Sequence, residues 1–229
     1  MHRNPEDQQS KHGMMADKVT DEGSSDTMDI VLASNNAGKL REFSAILGAA
    51  GFRITPQGEL GVSEAEEPYD TFLENALTKA RHASRQTGRP ALADDSGLCV
   101  DALQGAPGVL SARYAAIANG TPRSDTDNNA FLVSQLKSHE NRKARYVAVL
   151  VYVRHANDPC PIVAQGEWAG EIVDEARGEH GFGYDPHFYI PGQGMTVAQL
   201  PPEQKNRISH RGQALQALLA ALKAREGVA

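Results

Sequence analysis

Two adjacent carboxylates, Asp94 and Asp95, stand at the end of a short apolar run over residues 91–93. Carboxylates beside an apolar strand are costly unless they are hydrogen-bonded, paired with a cation or bound to a metal. One of them could hold Mg²⁺ or accept a proton from water. Because side chains alternate along a strand, we expect only one of the two to face a given site. A plain Asp-Asp-Ser-Gly turn is the structural alternative.

A second polar cluster follows the first apolar run of the chain and could bind phosphates. Backbone N–H groups at a helix N-terminus, together with a lysine, attract anions. The Gly-x4-Gly-Lys-Ser/Thr spacing of a Walker A loop is absent, and a capped strand-to-helix turn would use the same residue types. The cluster consists of Ser34, Asn35, Asn36, Ala37, Gly38 and Lys39.

Two later clusters could bind a flat, acceptor-rich ligand. Glycines on both sides of Phe182 let the backbone come close to such a ligand, and the ring could stack on a base. Asp185 could accept a hydrogen bond from a base or a ribose, and Lys205, His210 and Arg211 offer donors near the start of the last predicted helix. A tight turn with one buried ring and an exposed basic helix start are the structural alternatives.

A run of acidic residues, Glu64, Glu66 and Glu67, could supply a further metal ligand, although such runs are most often solvated surface.

The elements that must position these clusters follow from hydrophobic periodicity. Strands are predicted over residues 30–33, 91–93, 145–154 and 161–173, and helices over residues 39–50, 71–88, 124–137 and 211–225. The second helix is expected to bury Phe72, Leu73, Ala76, Leu77, Ala80 and Ala83. This alternation predicts an α/β protein whose polar clusters lie at strand ends or in loops, where such sheets bind ligands.

Composition excludes several classes of protein. The 229 residues carry a net charge of −6, which argues against a broad basic face for nucleic acid, and no apolar run is long enough to span a membrane. Residues 1–27 hold three basic and six acidic side chains and almost no large apolar ones, so we expect a disordered leader before a single domain over residues 28–229. With two cysteines and no signal peptide, we expect a cytoplasmic protein.

Taken together, the clusters resemble the inosine triphosphate pyrophosphatase family. The resemblance runs from about residue 29 to residue 224, and its landmarks lie at 34–39, 71–80, 93–98, 105–114, 181–186 and 209–212. It implies the Maf/Ham-type fold, a mixed β-sheet flanked by helices with the active site in a cleft between two lobes. It also implies Mg²⁺-dependent hydrolysis of ITP, dITP and XTP to the monophosphate and pyrophosphate, which would keep these bases out of DNA and RNA, by an enzyme that is usually a homodimer.

The resemblance also implies a role for individual residues. Asp95 matches the general base and a Mg²⁺ ligand, Glu66 matches a second metal ligand, and Ser96 matches a substrate contact. Asn75 and Lys79 are four residues apart on one helix face and could reach the phosphates. Matches to the phosphate-binding positions are Ser34, Asn36 and Lys39, and matches to the base-binding side are Phe182, Gly183, Tyr184, Asp185, Lys205, His210 and Arg211.

Base selection follows from the exocyclic groups of the purines. Hypoxanthine and xanthine present a 6-keto acceptor to donors from Lys205, His210 or Arg211, whereas adenine presents a 6-amino donor. Two other functions stay open: a Maf-like pyrophosphatase of other nucleotides, and a non-catalytic nucleotide sensor. The complete base-side cluster argues against the first, and the presence of Lys39, Glu66 and Asp95 together argues against the second.

Overall fold

Seven strands form one sheet in the computed structural model, which describes residues 28–226. The predicted leader, residues 1–27, lies outside the described residues. The strands are β1 Asp29–Leu32, β2 Arg53–Pro56, β3 Ala91–Val100, β4 Lys143–Val153, β5 Ile162–Ile172, β6 Phe188–Ile190 and β7 Met195–Thr196. The α-helices are α1 Ala37–Ala49, α2 Phe72–Thr87, α3 Tyr114–Asn119, α4 Asp125–Leu136, α5 Pro202–Ile208 and α6 His210–Glu226. Short 3₁₀ helices cover Gln57–Leu60, Asp101–Leu103, Gly108–Arg113, Pro191–Gln193 and Val197–Gln199.

The strand order is β2-β1-β3-β4-β5-β6-β7. β1 pairs in parallel with both β2 and β3, and the remaining pairs are antiparallel. The sheet is therefore mixed and flanked by helices, which confirms the predicted α/β class. The arrangement in two lobes stays a prediction. None of the helices described here combines the length and the apolar character needed to cross a membrane.

Two sequence predictions about these elements are wrong. The strand expected over 91–93 continues to Val100, because β4 pairs with it along its full length, so the acidic pair lies inside a strand rather than at its end. On α2, Leu73 is 44% exposed, since the buried side of that helix is formed by small residues and Asn75 instead.

The core explains where a cavity can form. On one face of the sheet, α1 and α6 pack over one end in a cluster that includes Leu92 and Leu150. A second cluster, which includes Leu98 and residues of α4, packs over the other end of the same face. On the opposite face, alanines of α2 pack against β3 and β4 in a third cluster. Between Leu92 and Leu98, the two clusters on the first face are separated by polar residues of β3.

Candidate active site

A cavity of about 730 Å³ opens at the polar stretch of β3. Asp94 and Ser96 point to the face of α1 and α6, where they contact Lys39 and Arg211, whereas Asp95 points to the face of α2. Side chains thus alternate as expected, but both aspartates line the same cavity, so the prediction that only one faces the site is wrong. The reason is that the β1–β3 ladder stops at the Leu32–Leu92 pair, beyond which the cavity reaches both faces of β3.

The cavity brings together sixteen of the eighteen residues predicted from sequence to form the site. They are Ser34, Asn35, Asn36, Gly38, Lys39, Glu66, Lys79, Asp95, Ser96, Phe182, Gly183, Tyr184, Asp185, Lys205, His210 and Arg211. Ala37 and Asn75 are not among the residues that line it.

The segment from Ser34 to Lys39 is a capped turn that starts α1. The Oδ1 atom of Asn36 accepts a hydrogen bond from the backbone N–H of Lys39 at 3.0 Å, and the hydroxyl of Ser34 accepts one from the N–H of Asn36 at 3.1 Å. These bonds fix the helix N-terminus at the cavity, where its dipole favours an anion. The Lys39 ammonium lies 2.6 Å from Asp94 Oδ2, which holds it inside the cavity.

Asp94 anchors two cations, a role that the sequence does not predict for it. Its carboxylate pairs with Lys39, lies 3.5 Å from Nε of Arg211, and accepts a hydrogen bond from the Ser96 hydroxyl at 2.7 Å. Burial raises the pKa of Asp94, but the charges of Lys39 and Arg211 outweigh burial and hold the pKa well below its ordinary value. Asp94 is therefore a permanent anion, unsuited to take up a proton.

Asp95 has a different environment on the other face. Its Oδ1 atom accepts from the Lys79 ammonium at 3.0 Å, and Lys79 also donates to Glu67 Oε1 at 2.7 Å. Its Oδ2 atom is buried and has no hydrogen-bond partner within residues 28–226. Burial raises the pKa of Asp95 despite the neighbouring Lys79 charge, so this carboxylate is a stronger base than Asp94.

The donors around Asp95 fit a magnesium ion. Among residues 28–226, no group of three or more His, Cys, Asp and Glu side chains is placed to hold a metal ion by itself. Mg²⁺, however, is commonly held by one or two carboxylates together with phosphates of the substrate. The unpartnered Asp95 Oδ2 is one such donor, and the exposed carboxylate of Glu66 lines the same cavity.

Arg211 is held in the middle of the cavity by buried acceptors. Its Nη1 atom donates to Glu42 Oε2 at 2.5 Å, and its Nη2 atom donates to the Ser96 hydroxyl at 3.2 Å. The side chain is 5% exposed, so the pairing with Glu42 and Asp94 offsets a large cost of desolvation. Much of the donor capacity of Arg211 is thus already directed at the protein.

The loop over residues 181–185 lines the cavity beside the start of α1, where a Cβ on Gly38 would lie 3.7 Å from the Phe182 ring. Gly181 has φ +80°, and a Cβ there would collide with the Asp185 carboxylate, so a side chain is excluded on both counts. Residues of α4 brace the loop, because Asp125 accepts from the Gly183 N–H at 2.8 Å and Asn129 donates to the Gly183 carbonyl at 2.8 Å. Phe182 is 42% exposed at the cavity, with the Lys205 ammonium 4.5 Å from the centre of its ring.

Asp185 organises this loop, because its carboxylate accepts three hydrogen bonds from the protein. Its Oδ1 atom accepts from the Tyr146 hydroxyl at 3.1 Å. Its Oδ2 atom accepts from the Lys205 ammonium at 2.7 Å and from the Phe182 N–H at 3.0 Å. The carboxylate therefore positions Lys205 and Phe182, and its acceptance of a hydrogen bond from a base or a ribose stays a prediction.

His210 is the first residue of α6 and is buried beside these groups. Its carbonyl packs closely against Gly166 of β5, an approach that is possible because glycine has no Cβ to collide with it. Burial and the charge of Arg211 lower its pKa well below the ordinary value, so the ring is neutral near pH 7. The Nδ1 atom is buried and has no hydrogen-bond partner among the described residues, and the residue lines the cavity.

Asn75 has a structural position rather than a phosphate-binding one. It is 1% exposed, its Oδ1 atom accepts from the Tyr69 N–H at 3.1 Å, and its Nδ2 group donates to the Tyr69 carbonyl at 3.0 Å. Both ends of the amide thus bind the chain that leads into α2. Asn75 is not among the residues that line the cavity and both ends of its amide are engaged by Tyr69, so the predicted contact with the phosphates finds no support in this geometry.

We expect Asn75→Ala to lower the free energy of unfolding by about 1–3 kcal/mol, because two backbone groups of Tyr69 lose their partners. Urea unfolding followed by circular dichroism measures the change. Gln86→Ala, an exposed position on the same helix, is the control and should stay near wild type. Equal stability of the two variants would contradict the structural role.

Several residues of the cavity escaped the sequence prediction. Glu42 and Lys39 are three residues apart on α1, a spacing that places Glu42 on the same helix face as a predicted site residue, although its long-range pair with Arg211 has no signal in the sequence. The sequence indicates Glu67 only as a possible metal ligand and carries no signal of its ion pair with Lys79. Tyr146 stands in an apolar strand pattern that carries no signal of a polar role.

Comparisons with known proteins agree on one family. The model of the Ham1 family matches residues 30–221. A dITP/XTP pyrophosphatase of Bordetella pertussis is 67% identical over 195 residues, covering 85% of this chain and 91% of that protein. One of Nitrosomonas europaea is 56% identical over 199 residues, covering 87% of this chain and 96% of that protein.

Solved structures give the same result. A HAM1 protein from Coxiella burnetii superposes with a TM-score of 0.81 at 46% identity, covering 86% of this chain and 99% of that one. A nucleoside-triphosphatase / dITP/XTP pyrophosphatase from Mycobacterium abscessus superposes with a TM-score of 0.66 at 41% identity, covering 85% of this chain and 100% of that one.

Proposed function

The chain belongs to the Ham1 family and is a pyrophosphate-releasing hydrolase, and we propose that it hydrolyses ITP, dITP and XTP with Mg²⁺ to the nucleoside monophosphate and pyrophosphate. The observation that carries this proposal is that one cavity is lined by two chemically different groups of residues. We call the anion-binding helix start with Lys39 the phosphate end and the pair of Phe182 and Lys205 the base end, and Asp95 lines the same cavity. A purine nucleoside triphosphate needs both kinds of group.

The phosphate end supports binding of a triphosphate tail. Lys39 and the N-terminus of α1 supply positive charge, while Asp94 holds Lys39 in place. Lys79 contributes a second ammonium on the opposite face of β3, and its pKa is raised because the carboxylates of Asp95 and Glu67 outweigh the effect of burial. Lys79 therefore keeps its charge, and both ammonium groups would offset the negative charge that builds up as pyrophosphate departs.

We assign Asp95 as the general base of the hydrolytic step. Its carboxylate, of which Lys79 engages only Oδ1, would accept a proton from a water molecule aimed at the α-phosphate, so that the bond between the α- and β-phosphates breaks and pyrophosphate leaves. Lys79 keeps Asp95 oriented through its bond to Oδ1. Asp95 and Glu66 would hold Mg²⁺, which supplies charge neutralisation for the phosphates when bound.

The base end supports recognition of a 6-keto purine. Phe182 offers a face for stacking, and Lys205 offers an ammonium that donates and cannot accept. Neutral His210 offers the unpartnered Nδ1 atom. Arg211 lies between the two ends, where its contacts with Ser96 and Glu42 fix its position.

We also propose a cellular role, a location and an oligomeric state for the enzyme. Removal of deaminated purine nucleotides would keep these bases out of DNA and RNA. We place this activity in the cytoplasm and assign the protein as a homodimer that needs neither a nucleic-acid nor a membrane partner.

Analysis of the products tests the proposal. Incubation of the protein with dITP and Mg²⁺ should release one pyrophosphate per nucleotide and no orthophosphate, and removal of the metal with EDTA should abolish the reaction. Release of orthophosphate would indicate a phosphatase, and binding without turnover would indicate a nucleotide sensor. A preference for modified pyrimidine nucleotides would favour a Maf-like specificity. Any of these three results would contradict the proposed function.

A further inference from the structure

Tyr146 is a buried residue of β4 that contacts both His210 and Asp185. Its ring stacks on the imidazole of His210, with centroids 4.7 Å apart and planes within 11° of each other. Its hydroxyl donates to Asp185 Oδ1 at 3.1 Å. One side chain therefore touches both the residue at the start of α6 and the carboxylate that organises the loop over residues 181–185.

Through Asp185, the hydroxyl of Tyr146 acts on the groups that face the ligand. The other oxygen of that carboxylate accepts from Lys205 and from the Phe182 N–H. With its two oxygens held from opposite sides, the carboxylate cannot rotate without losing a bond. Lys205 and Phe182 are therefore held in one arrangement, with the ammonium 4.5 Å from the ring centre.

We propose that Tyr146 is a specificity-determining positioning residue, whose hydroxyl fixes the Asp185–Lys205 pair and thereby the discrimination of 6-keto from 6-amino purines. This inference rests on the proposed function. Burial and the neighbouring Asp185 charge raise the pKa of Tyr146 well above its ordinary value, so the hydroxyl keeps its proton and remains a donor. Discrimination by hydrogen bonds depends on donors that cannot turn away from the wrong base.

Tyr146→Phe isolates the hydroxyl, because the stacking on His210 and the contact with Phe188 are kept. The matched control is Tyr152→Phe on the same strand. Tyr152 is also buried, but its hydroxyl lies 3.6 Å from Met28 Sδ and outside the cavity. Both variants remove one buried phenolic oxygen, and thermal unfolding verifies that both fold.

The readout is the ratio of kcat/KM for dITP to kcat/KM for dATP, measured for the wild type and both variants. Loss of a hydrogen bond to a charged group should lower this ratio about ten- to hundredfold in Tyr146→Phe. Tyr152→Phe should keep the wild-type ratio. The loss for dITP should fall mainly on KM, because a contact with the base is made equally in the ground and transition states.

Two results would overturn the inference while leaving the proposed function intact. One is a wild-type ratio in Tyr146→Phe. The other is an equal loss on dITP and dATP, which would indicate general damage rather than altered selection. A wild-type protein with no preference for dITP would instead overturn the proposed function and, with it, this inference.

Discussion

Replacement of Asp95 by Asn is expected to lower kcat for dITP by about 10²–10⁴-fold, the usual cost of removing a positioned general base. The amide has nearly the same shape, so it can still accept from Lys79 through its oxygen. It cannot take a proton from water, and it is a poor ligand for Mg²⁺ compared with a carboxylate. Both deficits act on the chemical step, and the effect should therefore appear in kcat rather than only in KM.

Steady-state release of pyrophosphate from dITP measures this loss, and circular dichroism verifies the fold of the variant. Asp101→Asn is the matched control, because Asp101 follows the same strand, is half exposed and pairs only with Arg145 among the ion pairs of the described residues. Its turnover should equal that of the wild type. An Asp95→Asn protein that folds normally and keeps wild-type kcat would remove Asp95 from the role of base.

Asp94 and Asp95 illustrate which features of the site can be predicted from the sequence and which cannot. Two carboxylates after an apolar run indicated a site, and the alternation of a strand correctly separated their side chains. The ion pairs of Asp94 could not be predicted from the sequence. Lys39 and Arg211 are far from Asp94 along the chain and meet it only when α1 and α6 pack on one face of the sheet. Local residue types thus predicted which residues matter, and tertiary packing decided what each one does.

The fold was predictable to a similar depth. Long periodic segments such as α2, β4 and β5 were predicted within a few residues of their bounds. The acidic residues suggested that β3 should stop near residue 93, since Asp and Gly disfavour strands, but the ladder with β4 carries the strand through them. The two-residue strand β7 and the short helix α3 are set by their neighbours and have no periodic signal of their own.

Selection of the base is the second large effect, and kcat/KM for dITP and XTP is expected to exceed that for dATP by about 10⁴-fold. Lys205 is buried and has hydrogen-bond donors only, so it satisfies a 6-keto oxygen and cannot satisfy a 6-amino group. Adenine would leave its own amino group, and the Lys205 N–H that is not donated to Asp185, without partners, and unpaired buried groups of this kind are costly. Guanine shares the 6-keto group, so its expected slow turnover must arise at the 2-amino side.

A substrate panel of dITP, XTP, dATP and GTP, measured as pyrophosphate release with Mg²⁺, tests this expectation. One lysine of the base end and one of the phosphate end serve as matched variants. Lys205→Met should reduce the preference for dITP over dATP, because it removes a donor at the base end. Lys39→Met should lower kcat/KM for every nucleotide by a similar factor, because it removes charge beside Asp94 at the phosphate end. Equal rates on all four nucleotides, or a change of base preference in Lys39→Met alone, would contradict the assignment of the two ends.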